Sequence, residues 1–168
     1  MQTLETNRLT LIPFSLDLKM AAITEKATLG EMLGVGVPDS WPGPDLAEAL
    51  PVFVKNMEKD PSGPVWDWLI IHKTDKVLIG DIGFMGGPDE EGTVEIGYSI
   101  VPEYRNQGYA TEAVNSLIHW AFQKQEIKVI TAKTLKDNTA SIKVLMKAGM
   151  NCLGLEDNWL IWEVHKEE

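Results

Sequence analysis

Three strand-like stretches follow one another almost without interruption, and they constrain the fold more than any other feature. "VWDWLIIH" (Val65–His72), "VLIGDIGFMG" (Val77–Gly86) and "TVEIGYSIV" (Thr93–Val101) are rich in β-branched and aromatic residues. The connectors "KTDK" and "GPDEEG" are too short for a helical crossover, so the three form an antiparallel meander. The third strand then stops at Pro102, and the turn "PEYRNQGYATEA" (Pro102–Ala113) opens a helix over 108–123 with apolar residues at helical spacing. A glycine-bearing turn at a helix N-terminus suits an anion, because free backbone N–H groups and the helix dipole converge there.

The remaining elements complete a layered fold. "RLTLIPF" (Arg8–Phe14) is a strand, residues 16–33 one or two helices interrupted near Thr28–Gly30, and Asp45–Asp60 a helix that Pro51 should disturb. "KVITAKTL" (Lys128–Leu135) is a strand, Asn138–Gly149 a helix with Asn138 as N-cap, and the C-terminus a hairpin turning at Asp157–Asn158. The expectation is one domain over 1–168, α+β, with helices flanking a mixed, mostly antiparallel sheet in the order β-αα-βββ-α-β-α-ββ.

Charge narrows the ligand. The net charge of −10 argues against a nucleic-acid binder. Residues 1–100 hold seven Lys and Arg against sixteen Asp and Glu, whereas residues 101–150 hold seven against four. The basic segment begins at the Arg-Gly turn, which fits an anionic ligand there and acidic surroundings for a cationic partner. No apolar run reaches the roughly 18 residues of a membrane span, so no membrane role is expected. The N-terminus lacks a signal-peptide pattern, and one cysteine fits a reducing, cytoplasmic setting. The Gly34/Gly36 loop has no preceding strand and no third glycine, which rejects a dinucleotide fingerprint. His72, His119 and His165 are scattered without metal-ligand spacing, so no metal is expected, and Cys152 has no supporting histidine nearby.

"VEIGYSIVPEYRNQGYATEA", followed by "TLKDNTASIKVLMKAG", resembles the GNAT superfamily of acyl-CoA-dependent N-acyltransferases. The opening "LETNRLTLIPF" is similar to its RimJ/RimL-type branch, whose members acetylate ribosomal-protein N-termini, and extends the resemblance over nearly the whole chain. Asn106 stands where glycine is common and Met150 where an aromatic is common. The resemblance implies acetyl-CoA as acyl donor. It implies that Arg105, Asn106, Gln107, Gly108, Tyr109 and Ala110 wrap the pyrophosphate, that the backbones of Tyr98 and Ile100 pair with the pantetheine arm, and that Asn138 contacts that arm. It also implies a bulge at Gly97, whose N–H polarises the thioester, and a Ser141 hydroxyl near the sulfur.

Glu95 is the candidate general base. Alternation puts it on one strand face with Thr93 and Gly97, and glutamate is disfavoured in strands. Plainer roles are open for the same residues: a solvated face or ion pair for Glu95, close packing for Gly97, a helix start for Ser141. Trp41, in the Gly/Pro loop, is the candidate substrate contact, while Trp66, Trp68 and Trp120 read as core. The expected reaction is direct attack of a primary amine, such as a peptide N-terminus, on acetyl-CoA. Acetylation of a small amine and a non-catalytic acyl-CoA sensor are the alternatives. Acceptor identity is expected to depend on residues 28–64 and on a homodimer interface.

Overall fold

The computed structural model describes residues 2–168. Eight strands form one sheet: β1 (Leu4–Glu5), β2 (Leu9–Pro13), β3 (Asp67–His72), β4 (Val77–Phe84), β5 (Thr93–Ile100), β6 (Val129–Leu135), β7 (Asn151–Glu156) and β8 (Trp159–His165). Their order is β1-β2-β3-β4-β5-β6-β8-β7. Every pairing is antiparallel except β5 with β6. The helices are α1 (Leu16–Thr24), α2 (Lys26–Leu33), α3 (Pro44–Lys59), α4 (Tyr109–Phe122) and α5 (Thr139–Lys147), with a 3-10 turn at Pro102–Tyr104.

The expected α+β architecture is present, with two local differences. The first strand is preceded by the two-residue β1, too short to show a period. The break between α1 and α2 lies at Glu25, not at Thr28–Gly30. Gly30 is inside α2 because the returning loop presses on it: a Cβ there would sit 2.9 Å from the Val35 carbonyl oxygen. Helix α3 continues through Pro51, which is exposed, so the carbonyl it leaves unbonded can turn to water.

Cross-strand register sorts the sheet into two faces. Trp68, Ile82 and Tyr98 share the face covered by α4, where Trp68 and Phe84 meet Trp120. Asp67, Asp81, Gly83, Gly97 and Ser99 share the opposite face, toward α1 and the 38–43 loop. That second face carries a buried ion pair: Lys19, 2% exposed, donates to Asp67 Oδ1 at 2.8 Å and to the Phe14 carbonyl at 2.6 Å.

Candidate active site

The parallel ladder between β5 and β6 is only three pairs long, ending at Glu95 opposite Thr131. Beyond it the strands part while β6 stays paired to β8 as far as Leu135. The Glu95 carbonyl accepts from Met85 N–H, and Val101 N–H donates to Ile79, so the odd-numbered residues of β5 face β4. While the Ile96 N–H closes the last ladder pair at Thr131, alternation turns the N–H groups of Tyr98 and Ile100 into the fork. These are the amides an extended ligand arm would pair with. The expected bulge at Gly97 is absent, since β4 and β5 stay in register from Ile100 to Ile96. Gly97 therefore aims its own N–H at β4, and the fork's free donors are the N–H groups of Tyr98 and Ile100, since the Ile96 N–H faces the Thr131 carbonyl in the last ladder pair.

At the open end of the fork stands the turn that starts α4. Gly108 has φ +84° and Asn106 φ +63°, left-handed conformations that suit glycine and asparagine. No side chain caps this helix start, so its first N–H groups are free for an anion. Tyr109 and Ala110 supply backbone here. The Tyr109 ring is buried, its hydroxyl 2.9 Å from His72 Nε2. Asp75 N–H donates to His72 Nδ1, so Nε2 carries the proton and donates to Tyr109. Arg105 braces the turn rather than simply presenting charge, because its Nε donates to the Ile100 carbonyl at 2.8 Å. Asn106 and Gln107 are exposed beside it.

Arg8 is the cation that the sequence reading took only as the start of a strand. Its Nη1 donates to the Gln107 carbonyl at 2.9 Å, and its guanidinium carbon lies 4.2 Å from the centre of the Tyr109 ring. Its Nε and backbone N–H both donate to Glu112 at 2.8 Å, and Thr6 adds a hydroxyl. Burial alone would push the Glu112 carboxyl up, but these hydrogen bonds and the Arg8 charge hold it below its ordinary value. A depressed carboxylate contributes stability above its unfolded pKa, lost as pH falls through the folded one. Calorimetry should therefore show the melting temperature falling below about pH 4.3, with a shallower fall in Glu112→Gln.

On the far side of the fork, Asn138 Oδ1 accepts from Ser141 N–H at 3.2 Å and caps α5. The Tyr98 hydroxyl donates to the Ser141 carbonyl at 3.4 Å, tying β5 to this helix start across the gap. A cleft of about 490 Å³ lined by Leu135, Lys136, Asp137, Asn138 and Asn158 opens beside it. Glu95 sits where the fork closes, half-buried, with no side-chain ion pair among the described residues.

Trp41 is placed otherwise than expected. It is 1% exposed, packed on Phe14, and its indole N–H donates to Asp81 Oδ2 at 2.9 Å. The Gly/Pro loop folds inward here, so the Trp41 indole lies in the core with its N–H on a carboxylate. Asp81 itself is partly open to solvent, yet burial pushes its carboxyl up to about 7; the Trp41 bond opposes this and the Asp67 charge adds to it. Among the described residues no group of His, Cys, Asp and Glu has the geometry to hold a metal ion, and no helix is long and apolar enough to cross a membrane.

Residues 8–151 match the Acetyltransferase (GNAT) domain family. The chain belongs to the GNAT family. It is an acyltransferase enzyme of that family. It is 37% identical over 150 residues, 89% of each chain, to the uncharacterized N-acetyltransferase YjdG of Bacillus subtilis (strain 168). Among the solved structures that share this GNAT fold are two acetyltransferases. The ribosomal-protein-S5-alanine acetyltransferase from Vibrio fischeri has TM-score 0.69 and 18% identity, covering 100% of this chain and 98% of its own. The microcin C7 self-immunity acetyltransferase MccE, solved with acetyl-CoA and AMP, has TM-score 0.65 and 18% identity, covering 95% and 93%. In GNAT terms, the fork and the α4 turn bring Tyr98, Ile100 and Arg105–Ala110 along one edge, with Asn138 and Ser141 facing them.

Proposed function

We propose that this enzyme moves an acetyl group from acetyl-CoA to a primary amine by direct attack, with a peptide or protein N-terminus as the favoured acceptor class. The observation that carries the reading is the fork: β5 and β6 part after Glu95 and Thr131, beside an uncapped helix start with Gly108 at φ +84°. The free N–H groups of 109–111 suit a pyrophosphate, with Arg105 and Arg8 as permanent charges beside them. The fork-facing amides of Tyr98 and Ile100 suit the pantetheine arm and the thioester carbonyl. MccE was solved with acetyl-CoA, which supports this donor, and the ribosomal-protein-S5-alanine acetyltransferase supports a protein acceptor.

Amide formation requires the acceptor nitrogen to lose two protons and the sulfur to leave as thiolate. In this reading Glu95 takes, through a water, the proton shed as the amide forms, and the Ser141 hydroxyl lies against the departing sulfur. Glu95→Gln is expected to lower turnover about 100-fold or more while leaving acetyl-CoA affinity unchanged. Steady-state rates alongside calorimetric titration would check this, and an unaltered rate across pH would remove Glu95 from the reaction. The broader test is thiol release from acetyl-CoA in the presence of mixed peptides and small amines. Tight cofactor binding with no release for any amine would favour a sensor over an enzyme of this specificity.

A further inference from the structure

We propose that the acceptor amine is received above Gly97, on the sheet face toward α1, and that Asp81 holds its ammonium and takes its first proton. The proposal rests on the acyl-transfer reading above and adds to it a seat for the acceptor.

Gly83 and Gly97 are directly opposed on β4 and β5, so no side chain rises from either. One alternate residue further, roughly 7 Å along the strands, Asp81 faces Ser99 at one end. A similar step the other way reaches Glu95, whose carbonyl is bonded to Met85 N–H. Tyr98, which follows Gly97 in sequence, supplies the nearest free fork-facing amide. A nucleophile above Gly97 is thus level with a carbonyl held in the fork and lies between two carboxylates.

The two glycines have different reasons. At Gly83 a Cβ would fall 2.5 Å from Asp67 Cβ and 2.7 Å from Asp67 Cα, so strand packing demands glycine. At Gly97 a Cβ would meet within 4 Å only Met85 Cε, at 3.2 Å, the far end of a flexible and exposed side chain. Neither its backbone conformation nor its packing requires glycine there. What glycine leaves over the strand, at the level of the fork, is a place covered only by the movable end of Met85.

Asp81 is held for this task. Trp41 fixes one carboxylate oxygen at 2.9 Å, and Gly43, at the start of α3, closes over Ser99, where a Cβ would lie 3.9 Å from its hydroxyl. The charged groups around Asp81 are Asp67 on β3, Lys19 of α1 bonded to Asp67, Lys26 of α2 bonded to the Trp41 carbonyl, and Glu95 further along β5. Lys19 is committed to Asp67 and the Phe14 carbonyl, so an arriving ammonium finds uncompensated negative charge. With its pKa at about 7, Asp81 is matched to an α-amino group of about 7.7–8.0. The step balances. The Asp81 carboxylate accepts one proton from R–NH3+, the amine forms the C–N bond as C–S breaks, the second proton leaves through the water on Glu95, and the sulfur departs as thiolate beside Ser141.

Two measurements on the full chain test this. In carboxyl 13C NMR, Asp81 of the wild type should titrate near pH 7, and methylammonium chloride added with CoA should lower that value by about one unit or more. An ordinary carboxylate titration, or one that methylammonium leaves in place, would overturn the seat. For turnover, Asp81→Asn is expected to lower kcat/KM for an amine acceptor about 100-fold or more at pH 7, with acetyl-CoA affinity unchanged. The deficit should shrink as pH rises past the amine's own pKa, because a neutral amine needs no first proton acceptor. A deficit equal at every pH marks a merely structural role and contradicts the proposal. Methylammonium-sensitive titration in a wild type that releases no thiol would support the amine seat while sinking the acyl-transfer reading.

Discussion

Gly108→Val is expected to weaken acetyl-CoA binding by about tenfold to a hundredfold, the equivalent of the roughly 1–3 kcal/mol that a β-branched residue costs in the left-handed region. Gly108 has φ +84°, and its Cβ would stand 3.3 Å from Arg8 Nη2. Valine must either keep that conformation under strain or let the turn relax. Relaxation would turn the first N–H groups of α4 away from the phosphates and dislodge the Arg8 bond to the Gln107 carbonyl. The fold has a way to absorb the change, because Arg8 is also held by Glu112. The loss should therefore fall on cofactor affinity more than on melting temperature. Isothermal titration of both proteins with acetyl-CoA checks it, and an unaltered dissociation constant would overturn the phosphate-cradle assignment.

Lys19→Ala should be the most destabilising single change on the sheet face toward α1, by about 3–5 kcal/mol. Lys19 is almost fully buried, and its partner Asp67 has 27% of its side chain exposed. Burial pushes the Lys19 ammonium down and the Asp67 carboxyl up, each opposed by the charge of the other. Removing the lysine leaves Asp67 desolvated beside Asp81, with the Phe14 carbonyl also unbonded. For a chain of this size the loss corresponds to a melting temperature lower by about 6–20 °C. The double change Lys19→Met with Asp67→Asn should recover much of it, since no unpaired buried charge is left. Thermal unfolding followed by circular dichroism measures both, and equal losses in single and double variants would contradict the pairing argument.

The sheet was legible in the sequence because its signals are local. The three stretches within Val65–Val101 are rich in β-branched and aromatic residues, and the four-residue "KTDK" permits only a hairpin, which is what β3 and β4 make. Asn138 was legible as a cap for the same reason, a short polar side chain just ahead of an amphipathic run. Trp41 was not. A Gly/Pro loop reads as solvent-facing, and only the packing of that loop against Phe14 and β4 buries the indole. Arg8 and Glu112 lie far apart in the chain, and no periodicity connects them. Asp81 sits in a strand as an isolated acid that pattern reading passes over, although an aspartate amid "VLIGDIGF" is as anomalous as Glu95 in its own strand. The strand fork could be expected from Gly97, but its cause is different. The ladder with β6 ends after three pairs, and β5 carries no bulge in its register with β4.

The central claim is that acetyl-CoA occupies the fork between β5 and β6 with its phosphates on the α4 turn. Titrating acetyl-CoA into 15N-labelled protein and following backbone amides tests it most directly. The amides of Tyr98, Ile100 and Gly108–Ala110 should shift together and saturate at one ligand per chain. Shifts confined elsewhere, such as the 590 Å³ cleft lined by Lys26, Gly30, Gly34 and Lys76, with those amides unmoved, would contradict it.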